Sequence, residues 1–238
     1  MKKLIIAFTT TIILMIYSLS FVNGQDIIDY HNSYDKTIDV TTMATPDGAK
    51  LRSAVNGPVR SVLGEPSIDL NSYELNITGL VDSSLTLTWK EIKNLPAAYT
   101  DTIIMYCVEG WEVWGNWKGI LVKDLLQKVS IQSKGKYVLF SCADGYTTAL
   151  PVSYVLKYNA MLAYQVNDSL LKKQSGFPLR LIAFGKYGYK WAKWVNKLTL
   201  IKKPQKGYWE KRGYSDQADV PIKRRRYYEG KNAKPLKY

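Results

Sequence analysis

Histidine and cysteine are both scarce in this sequence of 238 residues, and the two shortages exclude more chemistry than any feature that is present. The one histidine, His31, lies in a polar stretch ahead of the expected domain. Every scheme that needs a histidine base is thereby removed, Ser-His-Asp and Cys-His arrangements included. The two cysteines, Cys107 and Cys142, are too few to build a tetrahedral zinc site without histidine partners. No phosphate loop of the G-x-G-x-x-G or Walker type is present, and the spaced glycines of "GKYGYKWAKW" fit neither pattern. A twin arginine is missing as well: the N-terminus carries Lys2 and Lys3 instead.

Acidic charge is also short, with 20 Asp and Glu against 33 Lys and Arg and a net charge of +13. The last eighteen residues, "PIKRRRYYEGKNAKPLKY", hold seven Lys or Arg against one Glu, so residues 216–238 read as a solvated basic tail. On an exported protein such a tail suits contact with anionic lipid or an acidic partner, and nucleic acid is not expected. Export itself is read from the start of the chain. Behind Lys2 and Lys3, "LIIAFTTTIILMIYSLSFVNG" carries no charge, so residues 1–24 form an export signal, either cleaved near Val22 to Gly24 or kept as a membrane anchor.

Residues 25–57 are polar with little periodicity and read as an arm or linker, with the folded domain spanning 58–215. "SYELNITGLV" alternates as a strand does, and "SLTLTWKEIKNLP" passes from alternation to helical spacing through Trp89, Ile92 and Leu95 before Pro96 stops it. "YTDTIIMYCV" is a second strand that delivers Cys107 at its end. "GILVKDLLQKV" has helical spacing, "KYVLFSCA" is a strand entering the turn "DGYTTALP", and "VSYVLKYN" is a short helix. "AMLAYQVN", "FPLRLIAF" and "WVNKLTLIKK" are further strands. Strands and short helices mix without regular alternation, which predicts an α+β fold.

What remains for chemistry is a thiol with many Arg, Lys, Tyr and Trp side chains. Cys107 stands in "MYCVEGWEVWGNWKG" beside Trp111, Trp114 and Trp117. A thiolate is a good ligand for a soft or high-valent redox metal, and the indoles would exclude water. Composition alone leaves another reading open, in which Cys107 and Cys142 form a disulfide or lie as inert buried thiols.

Several stretches in one order narrow the choice. "VRSVLGEPSIDLNSYELNITG", "MYCVEGW" with "WKGILVKDLL", "DGYTTALP", "MLAYQVND", "GFPLRLIAFGKYGYKWAKWV" and "GYWEKRGY" together resemble the molybdenum-cofactor domain of the sulfite oxidase family, from about Val59 to Tyr214. The plan is that of a stand-alone domain, similar to the small bacterial members. The resemblance implies the sulfite-oxidase-type molybdopterin fold, with Cys107 as the protein's ligand to molybdenum. It implies that Arg60 holds cofactor and substrate near the metal and that Tyr214 hydrogen-bonds in the substrate pocket. Arg180 and Lys193 match residues around the pterin phosphate, with Lys190 and Trp191 as companions. Asp144 matches an acceptor for the pterin ring, and a turn aspartate is the other reading of it. Ser61 and Ser175 occupy further cofactor-contact positions.

The chain also departs from the family. Where animal and plant members continue with Asn and His after the arginine, it has Ser61 and Val62; Ser175 stands where they have a histidine. "VEGW" after Cys107 lacks the arginines of true sulfite oxidases, which argues against sulfite as substrate. The expectation is an exported molybdopterin-dependent oxidoreductase that moves an oxygen atom to or from a small molecule. Electrons pass to or from a separate haem or quinone partner. The alternative is a binding or scaffold module of the same fold without the cofactor.

Overall fold

The computed structural model describes residues 51–229; the signal, His31, most of the arm and the last nine residues of the basic tail lie outside the described residues. Two sheets make up the domain. The first holds β1 (Arg52–Ser53), β4 (Ala98–Tyr106), β5 (Glu112–Leu121), β8 (Met161–Val166), β9 (Ser169–Leu170) and β10 (Arg180–Ile182). Along it β1, β5, β8 and β10 are neighbours in that order, while β4 pairs with β5 and β9 with β8. The second sheet has the order β3 (Leu85–Thr88), β2 (Glu74–Gly79), β11 (Val195–Ile201), β6 (Tyr137–Cys142), β7 (Thr147–Pro151). Parallel pairs, β1 with β5 and β11 with β2, occur beside antiparallel ones. Three short helices fall between strands: α1 (Trp89–Asn94), α2 (Val122–Val129) and α3 (Val152–Lys157). A fourth, α4 (Ile222–Glu229), follows the last strand. The α+β expectation holds.

Local sequence explains the elements that were legible. Thr88 caps α1 from its extended conformation, and Thr88 and Glu91 complete a reciprocal capping box. Trp89 and Ile92 are the buried residues of that helix. On α2, Val122, Leu125, Leu126 and Val129 form the buried stripe that helical spacing requires. These side chains join Leu75, Ile77, Phe140, Leu162 and Leu198 in one apolar cluster to which both sheets contribute.

Three readings are corrected. The tryptophan-rich segment, for which no strand was expected, is the ten-residue strand β5, which lies between β4 and β8. "TTALP" is likewise a strand, β7, hydrogen-bonded to β6, and the turn is confined to residues before it. The folded unit also takes in more chain at both ends. Arg52 and Ser53 pair with Val113 and Trp114, ahead of the expected start at Pro58. Ala218 and Val220 are buried within the segment read as a solvated tail. Leu51, Ile104, Tyr106 and Val220 cluster together, so the two ends of the described chain meet beside the end of β4. No helix among the described residues is long and apolar enough to cross a membrane.

Candidate active site

The end of β4 hands the chain directly to Cys107, and a tight turn then reverses it into β5. The Cys107 N–H donates to the Trp111 carbonyl at 2.9 Å, and the Gly110 N–H donates to the Cys107 carbonyl at 3.2 Å. Gly110 takes φ +94°, a conformation that side chains with a Cβ disfavour. The turn leaves Cys107 half-buried, with the Glu109 N–H 3.5 Å from its Sγ. Burial first, with the Glu109 charge, holds the thiol pKa above its ordinary value against the pull of that N–H and of the Arg60 and Arg224 charges.

Cys107 lines a cavity of about 260 Å³ together with Arg60, Ser61, Asp144, Arg180, Trp191, Lys193 and Tyr214. Most of the residues singled out in the sequence are therefore brought to one place from distant parts of the chain. Asp144 accepts the Tyr146 N–H at 3.0 Å as a turn residue does, and it also lines the cavity, where burial raises its pKa. Trp191 is buried against Trp117 with ring centroids 5.8 Å apart, and its indole N–H donates to the Lys186 carbonyl at 3.0 Å. Tyr214 packs on Trp209 and Tyr189 at 4.9 and 5.3 Å.

Arg180 and Lys193 form the basic side of the cavity. Arg180 donates from Nη1 to the Ser175 carbonyl at 2.9 Å and contacts Met105 Sδ through Nη2 at 3.1 Å, yet its buried Nε has no hydrogen-bond partner. Burial pushes its pKa down to about 10. Lys193 donates to the Gln174 carbonyl at 3.0 Å and is pushed down to about 8, first by burial and then by the charge of Arg180. Gly176 permits this crowding. It takes φ +110°, and a Cβ there would lie 3.0 Å from Lys193 Cβ and 3.2 Å from Arg180 Cβ.

Two expected contacts are not made. Lys190 does not line the cavity. Its ammonium turns into the protein, donates to the Ala149 carbonyl at 3.1 Å and pairs with buried Glu210. A buried cation demands a counter-charge, and Glu210 provides it behind the site. Ser175 is buried outside the lining and acts through its backbone carbonyl, which accepts from Arg180. The bridge between Cys107 and Cys142 is not formed, since both thiols are free.

Of the three tryptophans expected beside Cys107, Trp111 lines the cavity, and the wall also includes Met105, Val108, Tyr146, Tyr189 and Trp209, which sequence reasoning did not select individually. Glu109 is the most consequential lining residue. It accepts from Arg60 Nε at 2.9 Å and from the Trp111 indole at 2.8 Å, and these bonds hold its carboxyl below the ordinary range.

A metal at Cys107 must draw most of its ligands from outside the protein, because no group of three or more His, Cys, Asp and Glu side chains is placed to hold a metal among the described residues. The donor set fits a molybdenum–pterin group on that count, since its dithiolene brings the missing sulfurs and its phosphate would satisfy the orphaned Arg180 N–H beside Lys193.

Comparisons with known proteins show the family and the fold. The family model described as "Oxidoreductase molybdopterin binding domain" matches residues 47–209. An uncharacterised oxidoreductase of Bacillus subtilis is 32% identical over 152 residues, covering 63% of this chain and 76% of the relative. A putative protein-methionine-sulfoxide reductase subunit of Azospira oryzae is 33% identical over 149 residues, covering 62% of this chain but only 56% of that protein. Among solved structures, the sulfane dehydrogenase SoxCD of Paracoccus pantotrophus shares the fold at a TM-score of 0.56 and 22% identity, over 63% of this chain and 46% of the other. The chain belongs to the molybdopterin-binding oxidoreductase domain family, as the match to residues 47–209 and the B. subtilis relative together establish.

Proposed function

We propose that this chain is the catalytic module of an exported oxygen-atom-transfer enzyme in which Cys107 Sγ is the protein's ligand to molybdenum. The observation that carries the reading is a thiol lining the same cavity as two cations, Arg180 and Lys193, that have no carboxylate at hydrogen-bond distance among the described residues. When bound, the cofactor supplies two-electron oxygen-atom transfer, cycling between Mo(VI) and Mo(IV). Arg180 and Lys193 hold the pterin phosphate, and Asp144 accepts from its ring N–H groups. Trp191, packed on Trp117, keeps water from that side.

Arg60 and Tyr214 face the substrate end. Tyr214 offers a hydroxyl for orienting the transferred oxygen or passing a proton. Arg60 offers little net charge, because Glu109 is bonded to it at 2.9 Å. The favoured substrate is therefore a small neutral molecule with a polarised oxygen, such as a sulfoxide, rather than sulfite. Electrons enter or leave through a separate haem or quinone protein, and the uncharged N-terminal run supports export.

Metal and pterin analysis of protein from its own host tests the reading, paired with Cys107→Ser. Stoichiometric molybdenum, with loss of the metal's charge-transfer absorption in the variant, is the expected result. Unchanged absorption in Cys107→Ser would overturn ligation by Cys107.

A further inference from the structure

The basic segment at the C-terminal end of the described chain reaches the active-site turn. α4 is led in by residues bonded to the strip that follows β10: the Tyr187 N–H donates to the Ala218 carbonyl at 2.8 Å and the Val220 N–H to the Gly185 carbonyl at 2.9 Å. Lys186 pairs with Asp219 at 2.7 Å, and Val220 is fully buried against Ile104 and Tyr106. This anchoring delivers Arg224. Its Nη2 donates to the Cys107 carbonyl at 3.3 Å, its Nε donates to Glu112 Oε1 at 3.0 Å, and Nη2 shares that carboxylate oxygen. The guanidinium also lies over the rings of Tyr106 and Tyr187, 5.6 and 5.7 Å from their centroids.

Glu112 is the residue opposite Tyr106 in the β4–β5 register, so Arg224 spans the two legs of the turn that carries the thiol. One leg is held at the Cys107 carbonyl and the other at a carboxylate whose side chain is 1% exposed. The Cys107 carbonyl then accepts two donors, the Gly110 N–H and Arg224. Two donors on one carbonyl hold the peptide plane after Cys107, the Cys107 N–H bond to the Trp111 carbonyl holds the plane before it, and together they set the direction of the Cα–Cβ bond. A guanidinium presents its donors in a rigid planar fork, so the carboxylate and the carbonyl are held in a fixed relative geometry that the freely rotating ammonium of a lysine would not impose.

We infer that Arg224 is a positioning residue for Cys107, and that α4 clamps the active-site turn rather than forming part of a free basic tail. The catalytic weight of this clamp rests on the reading of Cys107 as metal ligand; the clamp itself does not. Hydrogen exchange of the full chain tests it at the Cys107 and Gly110 amides. Arg224→Met should speed exchange there about tenfold, the effect of losing a charged hydrogen bond, with a smaller effect for Arg224→Lys and none for the exposed control Lys223→Met. In the loaded enzyme the same change should lower kcat with KM unchanged. Equal exchange in Arg224→Met and Lys223→Met would overturn the clamp. Should Arg224→Met not fold, exchange of the wild-type chain in low denaturant decides: amides of α4 and of residues 107–110 should open together. Opening of α4 while Cys107 and Gly110 stay protected would refute it. Exchange reads the turn whether or not metal is bound, so failure of the clamp and failure of ligation are told apart.

Discussion

Glu109 Oε2 lies 2.9 Å from Arg60 Nε, so a carboxylate two residues beyond Cys107 ties down an arginine of the cavity wall. Both side chains are substantially exposed, so the pair acts on the local field more than on stability.

Glu109→Gln should therefore change selectivity without unfolding the protein. Steady-state assays with an artificial electron carrier should find kcat/KM for sulfite raised by about two- to fivefold, and the gain should fade as salt is added. The rate with a neutral sulfoxide should change little.

Lys193 predicts a conflict between cofactor binding and stability. Its folded pKa, about 8, lies below the unfolded value of 10.5, so the unfolded chain binds more protons between these limits. The cofactor-free protein should gain stability from this group as pH rises from 8 to 10.5. Phosphate held at the site should weaken as pH rises through about 8, because Lys193 loses its charge. Lys193→Met should raise the melting temperature of the cofactor-free protein and lower its affinity for the pterin phosphate by about tenfold. Calorimetry and a binding titration check both signs.

The Lys190–Glu210 pair gives a stability prediction at residues that do not touch the cavity. Lys190→Met leaves Glu210 buried without its cation, and Glu210→Gln leaves Lys190 without its anion. Each should cost about 3–5 kcal/mol, and the double variant Lys190→Met with Glu210→Leu should recover much of the loss. Chemical denaturation of the four proteins measures it.

Gly119→Ala tests the closeness of β5 to β8. A Cβ at Gly119 would lie 2.1 Å from the Leu162 carbonyl oxygen and 2.5 Å from Ala163 Cα, both backbone. The pair of strands must spread, at a cost of about 1–3 kcal/mol or more. A smaller loss by chemical denaturation would show that the register yields more easily.

These residues also show what the sequence could reveal. The run "YTDTIIMYCV" was enough to set Cys107 at a strand end, but only the ordered stretches that resemble the sulfite oxidase family singled it out as a ligand. α1 and α2 were legible from helical spacing, and α1 also from the stop at Pro96. β5 was not, because Gly115 and Gly119 interrupt its pattern. In sequence they look like breakers, yet Cβ atoms there would meet Val166 and the Leu162 backbone. Lys190 was misjudged because a one-turn helix gives no periodicity to say which way its side chain points. Arg224 was hidden in "KRRR", where composition assigns every charge to solvent and only the fold singles out the one bonded to Glu112 and Cys107.

The cavity takes Cys107 and Arg180 from one sheet, Asp144 from the hairpin of the other, and Lys193 from the stretch that crosses between them. A ligand seated there touches every strand system the domain owns. Filling it adds cohesion in proportion to ligand tightness and concentration. The empty polypeptide, with two cations crowded at the seam, is the state that proteolysis should find first. Occupied and empty molecules should therefore differ in their resistance to protease.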